Sequence, residues 1–332
     1  MVQKIVTIIL GLSVVAALGW YINKNYVQPA SSGVDVKVNA AQSPAAGSST
    51  SQEGTLVYAS IGAAKEIRTA DSQDRTKKIF TDTDETDKIA IFSNVASDTS
   101  EVLVGTTSDG SKAGGLEVIN LLTAKTRKVK TSFSLPDYLA LAADSKKFVY
   151  IRFSNVEASY GYTLYLENMD DSQPITVVTT DSEIISPAFS PSSAKIAYAI
   201  SDTTKTEISV YSLSTKKLEK IATLDGKVVD WLSWPEPSKI FISTRATGNN
   251  NAGQIEAVNT SSGTTEKIVE FSGGRASYIY ANKAATKLAF IVAQYKNKVD
   301  PQTAGQIYIV NLISKDESTL EKANQILGWL PK

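Results

Sequence analysis

The sequence predicts an all-β fold, a six-bladed β-propeller with four-stranded blades and a closing blade shared by both termini, preceded by one N-terminal transmembrane helix. Three observations predict it. A turn of small and polar residues, then an apolar strand ending on Tyr or a substitute, returns with strand ends at Tyr58, Val104, Tyr150, Tyr198, Ile242 and Phe290, at intervals of 46, 46, 48, 44 and 48 residues. Val, Ile, Thr and Tyr recur at period two along these units, which excludes helical repeats, and a sandwich does not predict so regular a return. The two ends of the repeating region also carry complementary parts of one further blade.

The first element is the apolar stretch from Ile5 to Ile22, which has no charge and is flanked by Lys4 and Lys24. Its eighteen residues make about 27 Å of helix at about 1.5 Å each, close to the roughly 30 Å hydrocarbon core of a bilayer. Trp20, Tyr21 and Tyr26 crowd its far end, where amphipathic rings sit at the headgroup level. A cleavable signal peptide is the competing reading, but its apolar region is usually only about 7–15 residues and ends at a small-x-small site. Here the stretch runs into Gly19-Trp20-Tyr21, which favours an uncleaved signal anchor over residues 1–28. Charge is nearly balanced across the segment, so it carries little information on orientation. Residues 29–53 are rich in Ala, Ser, Gly and Gln, the composition of a flexible tether with an r.m.s. reach of about 25–30 Å.

Residues 54–332 hold the repeats. In the clearest unit Ile185–Phe189 reads as a first strand, Ser190–Lys195 as a turn, and Ile196–Ile200 as a second strand. Glu207–Leu213 and Leu218–Leu224 follow as third and fourth strands, and Leu139–Val178, Trp231–Val269 and Tyr278 onward repeat the order. The segment Ile326–Pro331 has the pattern of a first strand, while Thr55–Ala59, Ile67–Asp71 and Thr76–Thr81 have those of a second, third and fourth. Pairing them closes the ring and removes its open edge.

The stretch Pro187-Ala188-Phe189-Ser190-Pro191-Ser192-Ser193-Ala194-Lys195-Ile196-Ala197-Tyr198, with Leu139–Tyr150, resembles the WD-like repeats of the TolB-type six-bladed propellers. That family commonly has Asp-Gly after Ser-Pro, where this chain has Ser192-Ser193. The resemblance implies docking to envelope proteins as a class of function. It also implies an α/β domain ahead of the propeller, which residues 23–53 are too short to supply.

Composition narrows the chemistry. Lys plus Arg and Asp plus Glu number 34 each, so no global field draws in a polyanion, and nucleic-acid binding is disfavoured. The chain has no His and no Cys, which excludes a Ser/His/Asp triad, a Cys/His dyad, an ordinary zinc site and disulfides. Ser192/Lys195 and Ser214/Lys217 match Ser-x-x-Lys, but both fall in tight turns rather than on the helical turn that chemistry requires. Asp82, Asp84, Glu85 and Asp87 alternate acidic oxygens without the glycine and terminal glutamate of an EF-hand loop, and read as a solvated turn. No cofactor is expected.

In a four-stranded blade the second-to-third loops and the connectors between blades share one face. Here those loops, 106–115, 154–161, 244–253 and 293–305, are longer than the opposite turns, so this face is the expected binding surface. The candidate residues on it are Trp231, Asp225, Arg245, Asn250, Tyr295 and Asp300. First strands line the axis and carry Tyr138, Trp231, Trp234, Tyr278, Tyr280 and Trp329, which either pack between blades or stack on a guest.

The function expected from these features is a monomeric, single-pass propeller on the extracytoplasmic side of the cell membrane. It would bind or scaffold another envelope or membrane protein, or a surface polymer, without catalysis. The alternative is a carbohydrate-binding or carbohydrate-active propeller using axial aromatics and carboxylates, because carboxylate-pair chemistry needs no histidine.

Overall fold

A computed structural model describes residues 35–38, 54–61, 65–71, 75–82, 88–107, 113–154, 161–170, 173–202, 204–249, 252–293 and 304–330. The expected membrane segment and most of the expected tether lie outside them. Among the described residues no helix is long and apolar enough to cross a membrane.

Six antiparallel sheets carry the chain, and the termini share the first. Blade 1 joins strands β2 (Thr55–Ile61), β3 (Lys65–Ala70) and β4 (Thr76–Thr81) to β25 (Gln325–Leu330), in the order β25-β2-β3-β4. Blade 2 comprises β5 (Lys88–Ala96), β6 (Glu101–Thr107), β7 (Ala113–Asn120) and β8 (Lys125–Ser134), and blade 3 comprises β9 (Tyr138–Leu141), β10 (Lys147–Ser154), β11 (Gly161–Asn168) and β12 (Ile175–Thr180). Blade 4 holds β13 (Glu183–Phe189), β14 (Lys195–Ser201), β15 (Lys205–Ser212) and β16 (Leu218–Asp225). Blade 5 holds β17 (Lys227–Glu236), β18 (Lys239–Ala246), β19 (Ala252–Asn259) and β20 (Thr265–Ser272), and blade 6 holds β21 (Arg275–Ala281), β22 (Lys287–Ala293), β23 (Gly305–Asn311) and β24 (Glu317–Ala323). A strand β1 (Val36–Val38) adds a fifth member to blade 5 by pairing with β20.

The repeated position is the middle of each second strand, and all six side chains there are buried. The centres of these strands are continuous apolar runs because both faces are covered. In β2, Leu56 and Tyr58 enter the seam with blade 6 beside Ala289 and Leu320, while Val57 and Ala59 enter the seam with blade 2 beside Phe92 and Val104. In β14, Ile196 and Tyr198 face blade 3, and Ala197 and Ala199 face blade 5. Each fully buried Leu, Ile or Phe contributes about 1.5–3 kcal/mol, so a blade is stabilised chiefly by its two neighbours.

Polar bonds fasten the joint between the termini. The Tyr58 hydroxyl donates to Glu321 Oε1 at 2.6 Å, and Arg68 donates to both Glu321 oxygens at 2.9 and 3.1 Å. Gln325 Nε2 donates to the Phe92 carbonyl at 3.1 Å, and the Asn324 amide to the Ala59 carbonyl at 3.1 Å.

The turn between first and second strands explains the missing Asp-Gly. Ser193 has φ 56°, the left-handed conformation that glycine takes without a Cβ penalty, and its amide donates to the Ser190 carbonyl at 2.8 Å. Ser100, Ser145 and Ala285 take the same conformation in blades 2, 3 and 6, with φ of 57°, 55° and 50°. The chain builds these turns from residues that are strained in this conformation. Ser192 lies in the turn between β13 and β14 with Lys195 opening β14, and Ser214 and Lys217 lie in the turn between β15 and β16.

Candidate functional site

First strands run inward from the connector face, so their starts surround one mouth of the axis and their ends the other. They carry prolines because an innermost strand has one edge with no ladder partner, where a missing N–H is tolerated. Their ladders are also bulged: register shifts occur between Ile185 and Ala188, Val229 and Trp231, Ser233 and Glu236, and Ser277 and Tyr280. Those shifts re-aim the side chains that follow.

The ends of the six first strands and their adjoining turns enclose a cavity of about 600 Å³. Asn94, Pro187, Trp234, Pro235, Tyr280 and Trp329 are among its walls, with Asp98 and Lys283 the charged groups among the described lining residues. The Trp329 Nε1–H donates to the Tyr280 carbonyl at 2.9 Å, which fixes that ring. Trp234 and Ser233 are buried, and among the described residues neither Trp234 Nε1 nor Ser233 Oγ has a hydrogen-bond partner. An unpaired buried donor costs about 1–3 kcal/mol; both atoms have almost no accessible surface, so a guest's carbonyl or carboxylate would reach them only as the wall side chains move apart.

An aromatic layer lies deeper. The Trp231 ring is 5.5 Å from Tyr138, on blade 3, and 4.4 Å from Tyr278, on blade 6, so the contact crosses the axis. Tyr278 adopts φ 53°, uncommon for a bulky residue and strained. Burial pushes the Tyr138 and Tyr280 phenols above their ordinary value, and both stay neutral at any physiological pH.

At the connector mouth, Arg245 Nε lies 3.1 Å and Arg275 Nη1 lies 3.7 Å from Asp230 Oδ1. Desolvation raises the Asp230 carboxyl despite these arginines, and desolvation together with Asp230 raises that of Glu183. The cluster is formally neutral, with two acids and two arginines.

The residues expected at the binding face are only partly assembled. Trp231 is 9 % exposed within the axial layer and does not line the cavity, and Arg245 pairs with its neighbour Asp230. Asp225 ends β16, the outermost strand of blade 4, whereas Trp231 belongs to the innermost strand of blade 5, so closeness in sequence does not bring them together. Asn250, Tyr295 and Asp300 lie outside the described residues, as do Asp84, Glu85 and Asp87 and the centres of the long loops. Among the described residues no group of three or more acids is placed to hold a metal ion. The cavity opens on the opposite, tight-turn face. Ser233 and the wall prolines were missed by sequence reasoning, although prolines at 187, 235 and 331, each near the end of a first strand, were the available signal.

No family model matches the chain. A curated relative, the Tol-Pal system protein TolB of Acinetobacter baylyi, is 31% identical over 114 residues, 33% of this chain and 27% of the relative. Its namesake in Methylococcus capsulatus is 28% identical over 107 residues, 31% of this chain and 25% of the relative. The matched stretch therefore spans about a quarter of the curated relatives' length. The crystal structure of TolB from Acinetobacter baumannii superposes with a TM-score of 0.62 at 13% identity, covering 84% of this chain and 67% of that one. The chain is a six-bladed β-propeller whose fold is similar to that of TolB. The same blade arrangement also matches an oligogalacturonate lyase from Vibrio parahaemolyticus, with a TM-score of 0.52 at 11% identity over 81% of this chain and 75% of that one, so the TolB-like fold by itself names no reaction.

Proposed function

We propose that this TolB-like propeller is a membrane-anchored, extracytoplasmic, non-catalytic module that binds another envelope protein by taking an extended segment of it into the axial cavity on the tight-turn face. The observation that carries this reading is the cavity wall. Its volume falls within the roughly 300–1,000 Å³ of ordinary binding sites, and its Pro, Trp and Tyr surfaces suit apolar side chains while Trp234 Nε1 and Ser233 Oγ await an acceptor. The relatives' name, Tol-Pal system protein TolB, supports a protein partner in the envelope. The anchor rests on the apolar stretch from Ile5 to Ile22.

Paired-carboxylate hydrolysis finds only one acid, Asp98, among the described lining residues, which weighs against a carbohydrate-active site in this cavity. Trp234→Phe tests the reading, because it keeps the ring and removes the donor. Affinity for a captured envelope partner should fall by about 5- to 100-fold with the melting temperature unchanged or raised. Undiminished affinity refutes the proposed cavity.

A further inference from the structure

The outermost strand of blade 5 buries more apolar residues than its counterparts. β20 buries Ile268, Val269 and Phe271, against Ala222 and Leu224 in β16, Leu320 and Ala323 in β24 and Phe133 in β8, while β4 and β12 bury no residue at all. Phe271 approaches Phe290 of blade 6 at 6.5 Å, so this apolar side faces the seam between blades 5 and 6. The strand β1 covers it in register, with Val36 opposite Phe271, Lys37 opposite Glu270 and Val38 opposite Val269. Directly opposed residues of an antiparallel pair project to the same side, so the two valines extend the seam outward. The Ser272 amide donates to the Asp35 carbonyl at 2.9 Å.

The charges of this occupant match only in part. Lys267 and, less strongly, Lys37 hold the Glu270 carboxyl below its ordinary value, an attraction that favours the strand. Asp35 is, after burial, the second cause that raises the Glu317 carboxyl of blade 6, a like-charge repulsion that opposes the strand. Three paired residues give the strand few ladder bonds with which to resist a competitor.

We propose that the rim of blade 5 is a strand-accepting site, that Val36–Val38 fills it in cis, and that its exchangeable ligand is an extended partner segment alternating β-branched with basic residues. A basic residue at the place of Asp35 would face Glu317 and one at the place of Lys37 would face Glu270, while the alternate positions reach Phe271 and Val269. Strand addition to an edge takes its affinity from main-chain bonds and its selectivity from such alternate side chains.

The test uses the full chain with Val36→Asp and Val38→Asp, which vacates the rim, and two synthetic peptides as probes. One has the sequence of residues 33–40 and the other the same sequence with the Asp35→Lys change. The vacated chain should bind both, the basic peptide up to about tenfold tighter, and the unmodified chain should bind each more weakly because its own strand competes. A second measurement needs no vacated rim: amide exchange at Ser272 should slow in the full chain carrying Asp35→Lys. Absence of peptide binding to the folded vacated chain, equal affinity for the two peptides, or unchanged Ser272 exchange in the Asp35→Lys chain overturns the proposal.

Discussion

Tyr58 and Tyr198 occupy the same position in two blades, both rings are fully buried, and removal of their hydroxyls should have opposite effects. The Tyr58 hydroxyl joins β2 to Glu321 of β24 across the terminal joint at 2.6 Å. A hydrogen bond to a charged group contributes about 1.5–3 kcal/mol when enclosed. Glu321 is 40 % exposed and retains Arg68 at 2.9 Å, so Tyr58→Phe should cost only about 1 kcal/mol. The Tyr198 hydroxyl is buried with no hydrogen-bond partner among the described residues, and burial alone raises its phenol to about 12. Tyr198→Phe relieves an unpaired polar group and should be neutral or stabilising by about 1 kcal/mol. Urea unfolding of both variants, followed by tryptophan fluorescence, should separate them by about 1–2 kcal/mol at unchanged m value. Equal losses would refute the reasoning, since the Tyr198 hydroxyl would then have a partner of the same worth.

The strained turns give a second expectation: Ser193→Gly should stabilise the chain by about 0.5–1 kcal/mol, measured from the same urea midpoints, because glycine accepts its φ of 56°. The connector mouth gives a third. Glu183 and Asp230 have carboxyls raised above their unfolded values, so the folded state binds protons more readily. Their contribution to stability is fully present below the unfolded pKa and is lost as pH rises through the raised one. Glu183→Gln should therefore leave the urea midpoint near pH 4 unchanged, raise it at pH 7, and flatten the decline between them.

Much of the fold was legible because a propeller writes its period into the chain. The fourth strand Thr76–Thr81 was read to the residue, and the split blade followed from the apolar pattern of Ile326–Leu330. Tyr58 and its equivalents were taken for strand ends but lie mid-strand, because polar residues continue the ladder past the apolar run, as in Tyr150-Ile151-Arg152. The strand Val36–Val38 was hidden in a stretch of tether-like composition, since three residues are too few for alternation to stand out. Among the candidate site residues, sequence order coupled Trp231 to Asp225, whereas the connector carries the chain from a blade's rim to the next blade's axis. Loop length pointed to the connector face. The cavity lies at the other, where strand twist and bulges decide the free space, and those are not written in loop length.

Photo-cross-linking tests most directly the claim that a partner enters at the tight-turn mouth. A photoreactive residue at Lys283, on the cavity rim, and another at Asn249, beyond the end of β18 on the connector face, should be compared in membranes of the native host. Cross-linking of one envelope protein from position 283 and not from 249, lost when Trp234→Phe is added, is the expected result. Cross-linking from 249 and not from 283 contradicts the account.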